Sequence, residues 1–153
     1  MARPHTLGVA LGVVAIGVLG TLAGCGFVAA GNKSPSKPSA FVLNGHAAVT
    51  LTATSQTVGS TCVSPTGATD VAANVAVTVT DPSGKKIAAG NLGVGVITSD
   101  SGVAACSFPF QIRGVPGSIE TYGVAIGTRP PQVFPGDALR SSTPAVITII
   151  PGA

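Results

Sequence analysis

The segment that decides the fold runs from Asn74 to Gly84 and reads NVAVTVTDPSG. Its first half alternates valine with small or hydroxylated residues, and this period of two places Val75, Val77 and Val79 on one face of a β-strand. Its second half has Asp first, Pro second and Gly last, which is the order that a type I turn prefers. We therefore predict a hairpin in which residues 85–90 return as the antiparallel partner, with two lysines that discourage edge-to-edge aggregation.

The same alternation occurs before the hairpin. Residues 47–54 place a valine and a leucine on one face and three threonines on the other, which predicts a half-buried strand. His46 precedes this strand and is predicted to be a surface or hydrogen-bonding residue, with a ligand or general-base role as the alternative. Residues 55–73 are polar and too long for a structureless loop in a compact domain, so we expect a short strand at residues 61–63.

The centre of the core is predicted in the segment from Val103 to Arg113. Pro109 lies on the outward parity and cannot donate a hydrogen bond to a ladder, so we expect this strand at a sheet edge or bulged there. The inward parity carries two of the few aromatic residues and a cysteine. The inward residues are Cys106, Phe108, Phe110 and Ile112.

Three more segments are predicted as strands. Residues 92–97 carry glycines on one face, where another backbone or side chain is expected to pack closely. Residues 145–150 are apolar on both parities, which favours a final strand covered on both faces. Tyr122 opens the strand at residues 122–126, and it resembles the tyrosine corner of immunoglobulin-like sandwiches, whose hydroxyl ties down the preceding connection. Turns are expected at residues 98–102 and 114–118.

No segment after the apolar leader carries a convincing helical period. About seven short strands, with turn signals every eight to twelve residues or so, predict an all-β fold. We expect an antiparallel two-sheet sandwich of the immunoglobulin-like or transthyretin-like kind. The glycine spacing at residues 90–95 is not that of a dinucleotide-binding loop, and we predict neither a cofactor nor a metal site.

The chain begins with Arg3 and continues into an uncharged apolar run from Leu7 to Gly24, which is typical of a secretory signal. The run ends in Leu22-Ala23-Gly24-Cys25, which resembles a bacterial lipobox: an aliphatic residue, two small residues and a cysteine. The resemblance implies a lipoprotein in which diacylglycerol, carrying fatty chains such as palmitate, is attached to Cys25 before cleavage at that residue. Two chains on one glycerol make a durable membrane anchor, whereas one chain binds only marginally.

Lipidation would divide the chain into a signal peptide (1–24), a lipidated Pro- and Ser-rich tether (25–40) and a single β-sandwich domain (41–153). It would place that domain on the outer face of the bacterial cell membrane. Two alternatives stay open. The stretch from Leu7 to Ala30 could remain uncut as a membrane-spanning helix, or residues 28–30 could form an ordinary signal-peptidase site that releases a soluble protein. All three put the domain outside the cytoplasm.

The sequence has three cysteines, and lipid on Cys25 leaves Cys62 and Cys106 as an even pair. In an oxidising compartment such a pair predicts a disulfide bond. The alternative is a redox or metal pair. Two observations disfavour it: the spacing is not Cys-x-x-Cys, and only one histidine remains after cleavage.

Charge is sparse throughout the chain. Removing Arg3 with the leader leaves seven Lys and Arg against five Asp and Glu, a net charge of +2. Basic residues form no stripe and do not alternate with aromatic ones, so nucleic acid is not a predicted partner. The chain has no Trp and one Tyr, so the stacking platforms of a sugar-binding site are missing.

Residues 129–142 contain three prolines and show no period, which predicts a surface loop that could bind a partner. The candidate binding residues in this loop are Arg129, Phe134 and Arg140, and the alternative is a Pro-rich crossover between strands. The five carboxylates lie in turn-like or strand-end contexts beside a single histidine, so we do not predict an enzyme.

The predicted function is that of a non-enzymatic binding or interaction module of the cell envelope. Its expected partners are the membrane, through the lipid anchor, and an envelope protein; the sequence does not indicate an oligomeric state. The alternatives are a carrier of a small apolar ligand between the sheets and, as the weakest, an envelope hydrolase. Cys62, the motif Val-x-Val-x-Asp-x-x-Gly, the motif Cys-x-Phe-x-Phe and the motif Tyr-x-Val-x-Ile follow one another as far as about Arg140. This succession resembles small actinobacterial, mycobacterial-type envelope lipoproteins of uncharacterised function, and it implies no active site.

Overall fold

The computed structural model describes residues 37–52, 57–100 and 102–152, and strands account for about half of these residues. The leader, Cys25 and the tether up to residue 36 lie outside the described residues, and so do residues 53–56. The elements are β1 (Ala40–Thr50), β2 (Ala76–Thr80), β3 (Lys86–Asn91), β4 (Val96–Asp100), β5 (Val103–Pro116), β6 (Thr121–Ile126), β7 (Gln132–Pro135), α1 (Gly136–Arg140) and β8 (Ala145–Ile149).

The strands form two four-stranded sheets with the apolar core between them. Sheet A has the strand order β4-β5-β1-β8, and sheet B has the order β3-β2-β6-β7. Neighbouring strands are antiparallel except for β1 and β8, which run parallel. The predicted fold class, an all-β two-sheet sandwich, is confirmed, with eight strands in the described residues.

The predicted hairpin forms from β2 and β3. The two strands pair antiparallel from Ala76 opposite Asn91, and Val77 and Val79 are fully buried. The Oδ1 atom of Asp81 accepts hydrogen bonds from the backbone N–H groups of Ser83 (2.9 Å) and Lys85 (3.0 Å), so its side chain holds the turn. The hydroxyl of Ser83 also donates to this Oδ1 atom. That bond has the largest part in holding the pKa of the Asp81 carboxyl below its usual value, and the two backbone bonds act in the same direction.

Strand β5 forms the centre of the core as predicted, since its four inward side chains are at most 5 % exposed. It is an interior strand of sheet A, not an edge strand. Pro109 nevertheless costs no ladder hydrogen bond, because the pairing with β4 has already ended where Val96 lies opposite Ser107. The carbonyl of Pro109 instead accepts a bond from the backbone N–H of Gly93 (2.6 Å). Strand β5 thus resembles an edge strand only near Pro109, where β4 no longer pairs with it.

Strand β1 begins seven residues earlier than predicted, at Ala40 in place of Ala47. The buried parity continues backwards through Gly45 to Leu43, and the glycine interrupts the apolar alternation that would have shown it. Gly45 is required by packing: an added Cβ would lie 2.5 Å from the ring of Phe110 and 2.6 Å from the carbonyl oxygen of Ala145.

Strand β4 corrects two predictions. The strand covers residues 96–100, so the turn predicted at 98–102 is wrong over its first half, and residues 92–95 lie outside any strand. Thr98 pairs with Ala105 and Ser99 with Ala104 of β5. Hydroxylated residues fit a strand at the edge of a sheet because water can reach them. A polar segment such as residues 98–100 can therefore form an edge strand although its composition predicts a turn.

Strand β8 is covered on one face only, contrary to the prediction. Ala145, Ile147 and Ile149 are buried, but Val146 remains 44 % exposed. The strand lies at the edge of sheet A with its second face turned away from sheet B. Its continuous apolar run therefore reflects β-branched side chains at an edge and not burial on two sides.

Tyr122 makes the contact that the tyrosine-corner resemblance implies. Strand β5 runs on to Pro116, beyond the predicted start of the turn at residue 114, and the hydroxyl of Tyr122 donates a hydrogen bond to the Pro116 carbonyl. The ring is fully buried and meets Phe41 edge to face, with centroids 5.8 Å apart. This side chain therefore fixes the connection between β5 and β6.

The Tyr122→Phe variant is expected to lose about 1 kcal/mol of unfolding free energy, because the partly buried Pro116 carbonyl loses its donor while the packing of the ring is kept. Urea denaturation of the two proteins measures this loss. An unchanged midpoint would show that the corner hydrogen bond contributes nothing to the fold.

Candidate functional site

The disulfide bond between Cys62 and Cys106 is confirmed and joins the long connection before β2 to strand β5. The two Cα atoms lie 5.9 Å apart, and Cys106 is fully buried. Thr61 pairs with Val96 as an isolated bridge, so the short strand predicted at residues 61–63 is reduced to that contact. An added Cβ at Gly95 would lie 2.7 Å from the Phe108 ring and 2.9 Å from the Cys106 sulfur. The close packing predicted for the glycines near this position is therefore present.

The segment from residue 129 to 142 is not the structureless loop that we predicted. It contains β7, which adds a fourth strand to sheet B, and the short helix α1. Strand β7 pairs with β6 through Tyr122 opposite Phe134 and Val124 opposite Gln132. Since β7 has only four residues and Val133 is exposed, the sequence offers no alternation from which the strand could be recognised.

The two arginines of this segment are used to hold the fold. Nε and Nη2 of Arg129 donate to the two carboxylate oxygens of Asp70 at 2.6 and 2.8 Å, which is a bidentate pair. Nη1 of Arg140 donates to the carbonyl of Gly117 (2.8 Å), and its guanidinium also pairs with Asp137. Phe134 is half-buried against the core. The three candidate binding residues are thus not brought together as one exposed site.

The hydrogen bond from Arg129 holds the pKa of the Asp70 carboxyl below its ordinary value of 3.8. A carboxyl with a lowered pKa in the folded state stabilises the protein above its unfolded pKa, and this contribution is lost as the pH falls through the folded value. Both side chains are partly exposed, so screening by water limits the contribution to at most about 1 kcal/mol.

The Asp70→Asn variant is therefore expected to be slightly less stable than the parent at neutral pH and equal to it in strong acid. Urea denaturation of both proteins between about pH 7 and pH 2 measures the difference. A difference that stays constant over this range would mean that the ion pair does not contribute.

The outer face of sheet A is the surface that most resembles a binding site, and it is not among the sites predicted from the sequence. Its side chains point away from the core on all four strands, and the register places His46 between Pro109 of β5 and Val146 of β8. The next row holds Ala48 between Ser107 and Thr148, and these small central side chains leave a depression. A groove of about 540 Å³ lies on this face, and an adjoining groove of about 610 Å³ extends from it past Pro109 to Asn91 and Gly93.

The outer face of sheet A is electrically neutral at the described residues that line its two grooves, since none of these residues is Asp, Glu, Lys or Arg. Burial lowers the pKa of the half-buried His46 from its ordinary value of 6.5, so the imidazole is uncharged at neutral pH. At one end Nε2 of Gln111 donates to Oδ1 of Asn44 (3.0 Å). The face therefore offers hydroxyl, amide and imidazole groups among small apolar side chains.

The parity that assigns the core also assigns this face, because residues 46, 48 and 50 must point away from residues 47 and 49. The alternation around β1 was thus a usable signal for the outer surface. The alternation does not show which strands lie beside β1. It therefore does not predict which side chains meet on this face.

Two further grooves bear on ligand carriage. One of about 220 Å³ opens between the sheets and is lined by side chains of both, including Val124 of β6 and Ile147 of β8. The other, of about 530 Å³, lies beside the disulfide and is lined by exposed Val63 and Val94. Typical small-molecule sites have about 300–1,000 Å³ and enclose most of their ligand. The groove between the sheets is smaller than that range.

Comparisons of the chain with family models, with curated proteins and with solved structures found no match. Within the described residues, no group of three or more His, Cys, Asp and Glu side chains is placed to hold a metal ion. None of the helical residues that the structure describes belongs to a helix long and apolar enough to cross a bilayer.

Proposed function

We propose that this protein is a lipoprotein anchored by Cys25 to the outer face of a bacterial cell membrane, where its β-sandwich binds an envelope partner without catalysing a reaction. The observation that carries the anchor is the lipobox Leu22–Cys25, which directly follows an uncharged apolar run. The two acyl chains that such a cysteine receives would hold the protein at the membrane without a spanning helix.

The disulfide between Cys62 and Cys106 supports a place outside the cytoplasm, because such bonds persist in oxidising compartments and are rare where thiols are kept reduced. The start of β1 at Ala40 agrees with a tether that ends near that residue. Neither observation depends on the leader sequence.

The hydrogen bonds and ion pairs of the carboxylates support a binding role over a catalytic one. Asp81 holds its turn, Asp70 pairs with Arg129, Asp137 pairs with Arg140, and Glu120 pairs with Lys37. Four of the five acidic residues in the chain thus serve local structure. General acid–base chemistry needs such groups paired with one another or with a nucleophile in a cleft.

The binding surface in this proposal is the outer face of sheet A, and its partner is a neutral polar protein surface. The described residues that line its grooves include no Asp, Glu, Lys or Arg, so a highly charged partner would lose its hydration there without gaining a counter-charge. Hydroxyl and amide groups on this face can exchange hydrogen bonds with the backbone or amide groups of a partner.

Intact mass spectrometry of the protein extracted from membranes tests the anchor. We expect a mass that begins at Cys25, carries diacylglycerol and is two hydrogens lighter than the reduced chain because of the disulfide. A mature chain that begins after residue 30 and carries no lipid would overturn the anchored form and leave a secreted one.

Photo-crosslinking in intact cells tests the binding surface. A photoreactive residue at Thr98, on the outer face of sheet A, is expected to capture one defined envelope protein, whereas the same residue at Ala89 of sheet B is not. The Ala48→Arg change is expected to abolish the Thr98 product. Equal capture from both positions, or none from either, would overturn this surface as the binding site.

A further inference from the structure

The four sheet edges of the described domain differ in how they are protected from pairing with another strand. Edge strand β3 carries Lys86, with Lys85 just before it, and β7 is bounded by Pro131 and ends in Pro135. Lysine and proline at an edge are common devices against strand pairing.

Strand β4 is protected by the chain itself. The backbone N–H of Gly59 donates to the carbonyl of Ile97 (2.9 Å), and the N–H of Ile97 donates to the carbonyl of Ser60 (2.8 Å). Residues 59 and 60 thus bond to the edge of β4 that does not pair with β5. Three of the four edges are therefore closed to a further strand.

Strand β8 carries no such residue within the strand, although Pro144 precedes it and Pro151 follows it closely. Its sequence is Ala-Val-Ile-Thr-Ile, without charge, proline or glycine. It pairs with β1 on one side, and among the described residues no other backbone or side-chain group bonds its peptide groups. Val146 is 44 % exposed, and Ile150, just beyond the strand, is 62 % exposed. An uncharged β-branched edge with unpaired peptide groups is a template for strand addition.

A groove lies beside this edge. It has about 220 Å³ and is lined mainly by Ile147 and Ile149 of β8, by Val124 and Ile126 of the opposite sheet, and by residues 129–132 before and at the start of β7. Side chains on successive strands of a sheet continue the same face, so the inward side chains of a strand added to β8 would enter this groove. The edge and the groove therefore select an extended strand with apolar residues at alternate positions.

We propose that β8 pairs antiparallel with β8 of a second copy of this chain, which joins the two copies of sheet A into one continuous sheet. The strand is complementary to itself. When Ile147 of one copy lies opposite Ile147 of the other, Ala145 lies opposite Ile149. The side chains at these three positions point inward, toward the groove beside β8 in each copy. Val146 and Thr148 then face each other on the outer side, and no charged side chain meets its own copy. This inference does not depend on the lipid anchor.

The oligomeric state of the full chain, purified in a mild detergent, tests the pairing. Size-exclusion chromatography with light scattering is expected to give the protein mass of a dimer for the parent and of a monomer for Thr148→Lys and Val146→Lys. A lysine at either position places a charge on the pairing edge without entering the core. The matched control is Thr98→Lys on edge strand β4, which is expected to remain a dimer. All three variants should unfold in a single cooperative urea transition, which shows that each remains folded.

Disulfide crosslinking tests the register. Oxidation of a mixture of Val146→Cys and Thr148→Cys proteins is expected to crosslink one variant to the other in preference to itself, because residue 146 faces residue 148 across the pair. A monomeric parent, or a dimer that persists in both lysine variants, would overturn the proposal. Crosslinking that is no greater than that of a Lys86→Cys protein on β3 would overturn it as well.

Discussion

Replacing both Cys62 and Cys106 by alanine is expected to lower the free energy of unfolding by about 4 kcal/mol. The bond closes a loop between residues 44 positions apart, and in the chain-entropy account the cost of closing such a loop is removed from the unfolded state. Much of this loop is irregular and makes no strand pairing, since residues 62–75 contain no strand. The bridge therefore fixes a long irregular segment against β5.

The matched experiment is reduction of the parent protein, which breaks the same bond without removing any sulfur atom. Urea denaturation of the oxidised parent, the reduced parent and the double-alanine variant should give one high midpoint and two low ones. Alanine is preferred to serine at position 106, because that side chain is fully buried and a hydroxyl there would need a hydrogen-bond partner. Three equal midpoints would show that the bridge does not stabilise the fold.

The Phe108→Ala variant is expected to lose about 3–5 kcal/mol of unfolding free energy. Phe108 is 2 % exposed, projects from the central strand β5 and packs against the glycine at position 95 and the disulfide. Removal of the ring leaves a cavity in the core, and the cost of that cavity adds to the lost burial of apolar surface.

Phe134→Ala provides the control for this prediction. Phe134 lies on edge strand β7 and is only half-buried, so the same chemical change should cost clearly less. Denaturant unfolding of both variants and the parent measures the two losses. Equal losses would contradict the assignment of β5 as the centre of the core.

The sequence features that predicted the fold well are those in which local chemistry and burial agree. The valine alternation of β2, the Asp81 turn and the inward parity of β5 each depend on neighbours within a few residues, and all three are confirmed. The tyrosine at position 122 was recognised because its place after a turn constrains what its hydroxyl can reach.

The wrong predictions share a different cause. Periodicity shows which side chains lie on one face, but it does not show whether another sheet covers the opposite face. The apolar run of β8 therefore predicts a strand covered on both faces, and the hydroxylated residues of β4 predict a turn, and both predictions are wrong. Both strands lie at sheet edges, where covering depends on strand order.

The candidate site shows the same limit. Arg129 is a candidate binding residue in the sequence, and its pairing with Asp70, 59 residues away in the chain, cannot be found from spacing. The outer face of sheet A depends on β8 lying parallel beside β1, a pairing that no turn signal predicts. Long-range pairing, and not local propensity, decides which surfaces remain open.

Metabolic labelling with a tagged fatty acid tests the membrane anchor most directly. We predict that the parent protein incorporates the label and fractionates with the membrane, and that Cys25→Ala does neither. The double-alanine variant at positions 62 and 106 serves as a control, since it should still be labelled if Cys25 is the attachment site. An unlabelled parent, together with a Cys25→Ala protein that fractionates as the parent does, would contradict the anchor.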